Sequence, residues 1–377
     1  MKVLIDTYPL LVRSAGVKNY LYHWVDALRR TAPNGSIGTV PEIANGAPLH
    51  HDRSMAGTLA TTTGLATLAL SNHLSLPILD LLAGGADIFH VSSLVRHPPK
   101  RPRLTATIHD LTAWMMPELH LKANREADSH LADNLRRAQR IIAVSEATRQ
   151  DAIRLLRISP DKIVTIHSGV PGSFFDVSPE AVAEVRTRYQ LKRTFILSVG
   201  TIEPRKNLRA LVNAYRALPS GLQDEFELVL AGPIGWADSD TTEEVRAVRY
   251  LGYVPERDMA PLTAAATIFA YPSLYEGFGF PVAQAMAAGV PVITSNVSAL
   301  PEIAGDAALL VDPRSQSELR DGLERLLLHP DLRAAMSQRG RQRAECFRWD
   351  ICAAKSWQFF QEVCGQLPKV NVPVVPR

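Results

Sequence analysis

Residues 271–294 contain a carboxylate and a glycine-rich loop at a spacing that suits recognition of a phosphorylated ligand. The stretch predicts a strand, the loop from Glu276 to Pro281, a short helix, a turn and a second strand. Pro281 suits the first helical position, and Gly289 suits the left-handed position just past the helix end. Glycines let a ligand approach the backbone, and N–H groups at a helix start attract anions. Glu276 beside such a site is expected to hold hydroxyl groups, so the combination indicates a sugar nucleotide.

Two adjacent cations, Arg205 and Lys206, precede a second predicted helix, residues 207–217, whose apolar stripe recurs at helical spacing. Positive charge at a helix start opposes the helix dipole, because a carboxylate is normally preferred there. The conflict is explained if the two cations bind an anion together with the helix terminus. The alternative is a pair of solvated charges in a loop.

Residues 271–294 resemble the donor-site signature of retaining glycosyltransferases of family four, which have the GT-B fold. Further segments that resemble this family occur in its order at residues 108–111, 144–146, 199–208 and 252–255. The resemblance covers nearly the whole chain and is strongest over residues 195–312. One departure is Gln284, where the family has a second glutamate.

The resemblance implies roles for particular residues. The implied catalytic residues are Glu276, His109, Arg205 and Lys206. The residues implied in donor binding are Gly16, Tyr253, Val254, Gly277, Phe278, Gly279, Phe280 and Gln284. In the family the glutamate and the histidine bind hydroxyls of the donor sugar, while the two cations neutralise the diphosphate. By the same analogy Gly16 approaches the diphosphate, and Tyr253 and Val254 lie near the base. Gln284 would hold the ribose without the charge that a glutamate supplies.

Several of these residues have a structural alternative. Glu276 also fits a surface carboxylate or a helix cap. His109 follows a predicted parallel strand, where such folds bind ligands, but it also fits a core histidine that caps the strand end. Asp110 beside it is interpreted as structural. Asp238 and Asp240 match an Asp-x-Asp metal pattern, yet their polar surroundings favour a solvated loop, so no metal ion or other cofactor is expected.

The composition disfavours several other classes of protein. The net charge of +3 is nearly balanced, so nucleic acid is not an expected partner. The three cysteines, Cys346, Cys352 and Cys364, form an odd set without metal-ligand spacing, which indicates buried thiols in a reducing cytosol. No Gly-x-Gly-x-x-Gly motif is present, which disfavours a dehydrogenase. The chain opens on a predicted strand, so a cleaved signal peptide is not expected.

Short apolar strands alternate with helical patterns in both halves of the chain. The predicted strands are residues 3–6, 37–41, 87–91, 104–108, 141–144, 163–167, 195–199, 227–230, 249–251, 268–271, 290–294 and 308–311. Strands separated by helices indicate parallel sheets with right-handed crossovers. The expected fold class is α/β of GT-B type, with two doubly wound, Rossmann-like domains that face each other across a cleft.

The expected boundary between the two domains lies near residues 171–193, which combine prolines, glycine and a charged helical run. The predicted domains are an acceptor-side domain, residues 1–175, and a nucleotide-sugar domain, residues 190–350. Residues 351–377 are expected to form a helix and tail that cross back to the N-terminal domain, as in the family.

The segment from Ser54 to Leu79 contains no Asp, Glu, Lys or Arg. Threonines, a glycine and a proline interrupt it, so it lacks the continuous apolar run of a membrane-spanning helix. The favoured interpretation is a helix that packs inside the N-terminal domain. The alternative is a surface that faces the acceptor or a membrane carrying a lipid-linked sugar.

The expected activity is that of a retaining, metal-independent hexosyltransferase that uses a nucleotide sugar. GDP-mannose is preferred as the donor over UDP-glucose and UDP-N-acetylglucosamine, and the acceptor is a glycan or lipid-linked sugar of a bacterial surface polysaccharide. The alternatives are a non-catalytic sugar-nucleotide-binding relative, and an epimerase or hydrolase on the same fold. The expected location is the cytoplasm, with peripheral contact at the inner face of the plasma membrane as a variant, and the oligomeric state is left open.

Overall fold

The computed structural model describes residues 1–366 except for residues 15, 45, 48, 75, 120–121 and 237–238. The chain divides into two compact units. Of the described residues, unit 1 comprises Met1–Gly169 together with residues 349–366, and unit 2 comprises Val170–Arg348. The chain therefore leaves unit 1 after residue 169 and returns to it at residue 349.

Unit 1 is built on a parallel sheet of six strands. Its strands are β1 (Val3–Asp6), β2 (Ile37–Val40), β3 (Ile88–Val91), β4 (Arg103–Ile108), β5 (Arg140–Ala143) and β6 (Ile163–Thr165), in the order β2-β1-β3-β4-β5-β6. Its first six helices are α1 (Gly16–Thr31), α2 (Thr58–Leu74), α3 (Ile78–Leu82), α4 (Thr112–Met115), α5 (Lys122–Arg137) and α6 (Glu146–Leu156). The strands are mostly apolar and buried, as expected for a parallel sheet covered on both faces.

Unit 2 repeats this plan. Its strands are β7 (Thr194–Val199), β8 (Phe226–Ala231), β9 (Arg249–Tyr250), β10 (Ile268–Tyr271), β11 (Val292–Ser295) and β12 (Ala308–Val311), in the order β12-β11-β10-β7-β8-β9. Its helices are α7 (Pro179–Arg188), α8 (Leu208–Arg216), α9 (Ser220–Glu225), α10 (Ser239–Arg246), α11 (Glu256–Ala264), α12 (Phe280–Ala287), α13 (Leu300–Ala304), α14 (Gln316–Leu328) and α15 (Pro330–Ala344). Short 3-10 helices in the two units are Tyr8–Leu11, Pro117–Leu119, Gly172–Phe174, Pro204–Lys206 and Glu345–Phe347.

A further helix, α16 (Trp349–Val363), completes unit 1. The indole N–H of Trp24 in α1 donates a hydrogen bond to Ser356 Oγ over 2.9 Å. The ring of Phe360 lies 5.7 Å from that of His90, the middle of β3. Helix α16 thus supplies part of the unit 1 core, although nearly half of the sequence separates it from β6.

The structure confirms two doubly wound parallel sheets and all twelve predicted strands, with ends that differ by at most two residues. Gly289 has the predicted left-handed conformation, with φ of 74°. Helix α12 begins at Phe280, so Pro281 is its second residue instead of the predicted first. Of the three free cysteines only Cys352 is buried, whereas Cys346 is exposed, so the prediction of buried thiols was wrong for Cys346.

The uncharged segment from residue 54 forms helix α2, as predicted, but the helix is mostly exposed. Its buried residues are Gly64, Leu68 and Ser71. The prediction of a helix packed inside the domain was therefore wrong for the outer face of α2, because only three of its positions are buried and most of the others are exposed. Among the described residues, no helix has the length and hydropathy needed to cross a bilayer.

Candidate functional site

The order of strands in unit 2 reverses between β7 and β10, which are neighbours in the sheet although β8 and β9 separate them in sequence. Open parallel sheets bind ligands outside the carboxyl ends of the strands at such a reversal. The chain after β7 supplies Arg205 and Lys206, and the chain after β10 supplies Glu276. The sequence-predicted charged residues of unit 2 thus meet at the position where this type of sheet holds ligands.

One carboxylate oxygen of Glu276 is the centre of this cluster. Its Oε1 accepts hydrogen bonds from Lys206 Nζ at 2.6 Å, Ser273 Oγ at 2.7 Å and Tyr271 OH at 2.9 Å. Arg205 Nη1 forms an ion pair with the same oxygen at 2.8 Å. Within the described chain no hydrogen bond reaches Oε2. The protein therefore fixes Glu276 through one oxygen, and the described residues make no hydrogen bond to the other.

A second buried carboxylate, Glu203, completes the cluster. Its Oε1 lies 2.7 Å from Arg205 Nη2 and 3.9 Å from Lys206 Nζ. Two cations thus face two carboxylates, and the four formal charges cancel. The unfavourable charge at the start of α8, from which the sequence predicted a bound anion, is balanced by Glu203 and Glu276.

The pKa values of the cluster follow from this arrangement. Burial alone raises the pKa of Glu276, but Arg205, Lys206 and the hydrogen bonds outweigh burial and lower it to about 2. The pKa of Lys206 is lowered, first by burial and then by Arg205, although Glu276 and Glu203 oppose the shift. Burial, and then the charge of Glu276, raises the pKa of the Tyr271 phenol well above its usual value. Glu276 is therefore an anion and Tyr271 a neutral hydroxyl at physiological pH.

The glycine-rich loop leads from this cluster into α12. Gly279 has φ of 92°, and a Cβ at this position would lie 2.7 Å from Leu300 Cδ2, so only glycine fits. The ring of Phe278 is buried and lies 5.1 Å from that of Phe280. Because this ring packs within the unit, Phe278 can meet a ligand through its backbone. Gln284 lies one turn inside α12 and is partly exposed.

Tyr253 and Val254 lie in the loop that joins β9 to α11. Tyr253 is 38% exposed, whereas Val254 is buried, so Val254 could contact a ligand through its backbone. Gly16 belongs to unit 1 and is the first residue of α1. A Cβ at Gly16 would meet no atom within 4 Å, so nothing in the ligand-free protein requires a glycine there.

Unit 1 also contains a cavity, of about 170 Å³, beside the carboxyl ends of its strands. It lies where the strand order reverses between β1 and β3. Its polar lining residues are Asp6, His90, Ser92, Ser93, Thr107, His109 and Asp110. His109 thus faces a space that can hold a small ligand, as the position after β4 predicted. Asp110 accepts a hydrogen bond from the backbone N–H of Thr112 at 3.1 Å, in agreement with a structural role.

Burial shifts the pKa values of three groups in this cavity, so both histidines are neutral at physiological pH while Asp6 is still mostly ionised. Burial lowers the pKa of His109 to about 4 and that of His90 to about 3. Burial raises the pKa of Asp6 to about 6, against hydrogen bonds from Ser92 and Tyr8. His90 is held by the hydroxyls of Thr105 and Thr107, each at 2.9 Å. His109 has a ring contact with Tyr20, at 4.7 Å between centroids, and no hydrogen bond within the described chain.

Sequence reasoning missed Glu203, Tyr271 and Ser273 as members of the cluster. The signal for Glu203 was an acid two residues before the cations, and Tyr271 and Ser273 stood within the glycine-rich stretch itself. Asp238 lies outside the described residues. Asp240 belongs to the first turn of α10, so the predicted loop was wrong there. In the described part of the chain, no three His, Cys, Asp or Glu side chains are grouped to hold a metal ion.

Two family models match the chain. One described as glycosyl transferases group 1 matches residues 183–343, and one described as glycosyltransferase family 4 matches residues 53–173. The first contains the whole cluster around Glu276, and the second contains His109. Together the two matches cover most of both units.

Curated relatives include several mannosyltransferases. O-antigen chain mannosyltransferase B of Escherichia coli is 37% identical over 267 residues, which are 69% of this chain and 70% of the relative. Serotype-specific mannosyltransferase WbdA of Escherichia coli is 29% identical over 74% of this chain, but the match spans 35% of WbdA. An MMP alpha-(1->4)-mannosyltransferase of Mycolicibacterium hassiacum is 28% identical over 62% of this chain and 56% of its own length.

Solved structures share the fold. Sucrose-phosphate synthase from Thermosynechococcus elongatus superimposes with a TM-score of 0.72 at 20% identity, over 97% of this chain and all of its own. Anabaena HepE in complex with UDP and glucose gives a TM-score of 0.70 at 18% identity, with the same coverage. At these identities the similarity shows the architecture of two parallel sheets and does not show which ligands bind.

Proposed function

This chain belongs to glycosyltransferase family 4, and we propose that it transfers mannose, with retention of configuration, from GDP-mannose to a glycan or lipid-linked sugar acceptor of a bacterial surface polysaccharide. The observation that carries the proposal is the cluster at the β7–β10 reversal. It combines two cations for a diphosphate with a carboxylate whose second oxygen can accept hydrogen bonds from sugar hydroxyls. The relatives named as mannosyltransferases support mannose as the sugar.

In this proposal Arg205 and Lys206 bind the diphosphate. The negative charge on the leaving phosphate increases as the sugar–phosphate bond breaks, so cations held in place stabilise the transition state more than the ground state. Ion pairs with Glu203 and Glu276 hold both cations in place. They are thereby preorganised, and they need only exchange part of their ion pairing for contacts with phosphate oxygens.

Glu276 has a different proposed task, which is to orient the sugar. Its Oε1 accepts three hydrogen bonds and pairs with Arg205, whereas its Oε2 would accept hydrogen bonds from two vicinal hydroxyls. A carboxylate with a pKa of about 2 stays an acceptor across the physiological range. We therefore assign Oε1 to the protein and Oε2 to the donor sugar.

The remaining donor contacts are proposed from the loops around the cluster. The backbone of Gly277, Phe278, Gly279 and Phe280, at the start of α12, would bind oxygens of the sugar and the phosphates. Gln284 would hold the ribose, Tyr253 and Val254 the base, and Gly16 would approach the diphosphate. His109, neutral above about pH 4, would donate to or accept from a sugar hydroxyl.

We propose a front-face displacement without a covalent enzyme intermediate. The bond between the anomeric carbon and the phosphate oxygen breaks, and the bond to the acceptor oxygen forms on the same face. The acceptor proton passes to the departing phosphate, so the products are the glycoside and the nucleoside diphosphate. Arg205 and Lys206 would neutralise the negative charge of the departing phosphate. We place the reaction in the cytoplasm, at the inner face of the plasma membrane.

The test is transfer by the purified protein from GDP-mannose, UDP-glucose and UDP-N-acetylglucosamine to a mannose-terminated oligosaccharide. We expect an α-linked product with GDP-mannose, seen by mass spectrometry and by the anomeric proton in NMR, and undiminished turnover in excess EDTA. Transfer from a UDP-sugar without transfer from GDP-mannose would refute the assigned nucleotide. Loss of activity in EDTA that manganese restores would refute metal independence.

The same assay separates the other functions that the fold could host. A non-catalytic binder would bind a nucleotide sugar, as seen by calorimetry, and form no product with any acceptor. A hydrolase would release free sugar, and an epimerase would change the nucleotide sugar itself, in reactions without acceptor. Either result would replace the transferase proposal.

A further inference from the structure

Helix α2 contains no Asp, Glu, Lys or Arg, and its single basic residue is His73 near its end. Its exposed leucines are Leu59, Leu70 and Leu74, at 79%, 44% and 61% of full exposure. At about 100° per residue, these three positions lie within about 60° of one another, opposite the buried face. A helix at the surface of a domain normally turns charged residues outward. The outward leucines of α2 therefore need an explanation.

The threonines of α2 make its outer surface still less polar. The hydroxyls of Thr62 and Thr63 each donate a hydrogen bond, over 2.9 Å, to the backbone carbonyl four residues earlier. Thr67 does the same over 2.8 Å. A hydroxyl bonded to its own helix has its donor hydrogen satisfied and does not need water for it. The exposed side of α2 thus behaves as an apolar surface.

The apolar surface continues past the end of α2. Leu76 is 43% exposed, and Leu81 and Leu82 in α3 are 81% and 51% exposed. Helix α3 contacts α2 within unit 1. We define the leucine face as Leu59, Leu70, Leu74, Leu76, Leu81 and Leu82. Five outward leucines on two adjacent helices, with Leu76 in the connection between them, form a larger apolar surface than scattered exposed residues would.

Cations border the leucine face. The backbone N–H of Arg96 donates to Asn72 Oδ1, at the end of α2, over 2.9 Å. The backbone N–H of Lys100 donates to Asp80 Oδ1 in α3 over 2.8 Å, and Arg101 follows. Asp80 is the sole acid in residues 54–86, and this hydrogen bond occupies its carboxylate. The loop after β3 thus brings three basic residues, against one carboxylate, to the ends of α2 and α3.

From this combination we infer that the leucine face docks on an anionic lipid bilayer, with Arg96, Lys100 and Arg101 at the headgroups. Apolar side chains would enter the acyl boundary, and cations near the surface would attract anionic lipid. A symmetric contact between two copies of this face would instead bring like charges together. The inference deepens the location given under the proposed function, and it does not depend on the transferase chemistry.

Flotation of the full chain with vesicles tests the inference. We expect binding to vesicles of phosphatidylcholine with phosphatidylglycerol, and much weaker binding to phosphatidylcholine alone. The double variant Leu70→Asp, Leu81→Asp should lose at least about tenfold in vesicle affinity, because a charge at an apolar membrane contact is strongly disfavoured. The matched control is Leu328→Asp on α14 of unit 2, where the leucine is 54% exposed, and it should bind like the parent.

The cations are tested by Lys100→Gln with Arg101→Gln. Each lost charge should weaken binding to the anionic vesicles about fivefold and leave binding to neutral vesicles unchanged. Circular dichroism would show that each variant remains folded. Failure of the parent to bind anionic vesicles, or equal loss in the Leu328→Asp control, would overturn the inference.

Two further measurements separate this result from related outcomes. If sedimentation equilibrium shows a dimer that the Leu70→Asp, Leu81→Asp variant loses, the leucine face covers a second copy and the bilayer assignment is wrong. Transfer to a water-soluble acceptor should be equal in parent and variants. Vesicle binding without any transfer would refute the proposed function alone, and transfer without vesicle binding would refute this inference alone.

Discussion

The two sheets place different chemistry at equivalent points of the same topology. At the β7–β10 reversal in unit 2, two carboxylates and two cations neutralise one another. At the β1–β3 reversal in unit 1, the groups are two histidines kept neutral and a carboxyl with a pKa of about 6. Because a fold does not determine its function, the side chains at the strand ends carry the distinction. In the proposed reaction, unit 2 would neutralise the charge that grows on the diphosphate, and the neutral histidines of unit 1 would meet sugar hydroxyls.

The largest effect should follow from breaking the charge cluster of unit 2. Arg205→Ala and Lys206→Met each remove a cation that stabilises the leaving diphosphate, so kcat should fall about 100-fold or more. Thermal unfolding would be measured in parallel, because each change leaves a carboxylate less well paired. Near-parental kcat in both folded variants would contradict the assignment of a phosphate site.

The next effect concerns acidic pH, which should destabilise unit 1 before unit 2. The folded-state pKa values of His90 and His109 lie below their ordinary value near 6.5, so unfolding takes up protons and stability falls from about pH 6.5 toward pH 4. Asp6 opposes this between about pH 6 and pH 4, but its shift is smaller than the two histidine shifts together. Glu276 of unit 2 loses its contribution later, from about pH 4.5 toward pH 2.

Hydrogen exchange followed by mass spectrometry at pH 7, 5.5 and 4.5 measures this order by peptide. Protection of β1, β3 and β4 should fall by about tenfold or more per pH unit before that of β7 and β10 changes. His90→Gln should reduce the pH dependence, with His329→Gln, at an exposed site of unit 2, as the control. Earlier loss of protection in unit 2 would contradict the electrostatic comparison.

A smaller effect should come from the neutral groups that hold Glu276 Oε1. Tyr271→Phe and Ser273→Ala each remove one donor to a charged acceptor, which is worth about 1.5–3 kcal/mol, so kcat should fall about tenfold or more. Affinity for the nucleoside diphosphate, which lacks the sugar, should stay within about twofold for Ser273→Ala. Tyr215→Phe and Ser337→Ala remove hydroxyls bonded to backbone carbonyls elsewhere in unit 2 and serve as controls. A loss confined to nucleotide affinity would show that these hydroxyls do not orient the sugar.

The smallest effect concerns Gln284. Gln284→Glu should tighten nucleoside diphosphate binding several-fold, because a carboxylate makes charge-assisted hydrogen bonds to ribose hydroxyls, on the order of 1 kcal/mol. Gln284→Ala should weaken it. Calorimetric titration of GDP into the three proteins measures both changes, and parental affinity in Gln284→Ala would remove this residue from the ribose site.

The strands could be predicted from the sequence because parallel strands that are buried on both faces appear as short apolar runs. It also indicated Glu276, Arg205 and Lys206, since glycine spacing and adjacent cations are local signals. Tyr271 could not be assigned in the same way, because its hydrogen bond with Lys206 depends on β7 and β10 being neighbours in the sheet. The ion pairs of Glu203 with Arg205 and Lys206 are local, but the sequence does not show that this carboxylate is buried with them.

Helix α2 shows the same limit. Its lack of charge was visible in the sequence, but composition does not reveal which face is covered. The buried positions are Gly64, Leu68 and Ser71, so the small residues attach the helix and most of the leucines face outward. From hydrophobicity alone, the leucines of α2 would be expected on the buried face, because the apolar stripe of a surface helix normally packs on the core.

The return of the chain to unit 1 has a consequence for the order of folding during synthesis. Helix α16 contributes Ser356 to the hydrogen bond of Trp24, and Glu362 to a buried ion pair with Arg140 at 3.3 Å. At Gly169, where the chain leaves unit 1, a Cβ would collide with the Trp349 side chain. The glycine therefore provides the space that the first residue of α16 occupies. A ribosome therefore releases all of unit 2 before unit 1 can close its core. Unit 2 can mature as a contiguous domain, whereas unit 1 waits with α1 uncovered until translation has passed residue 363.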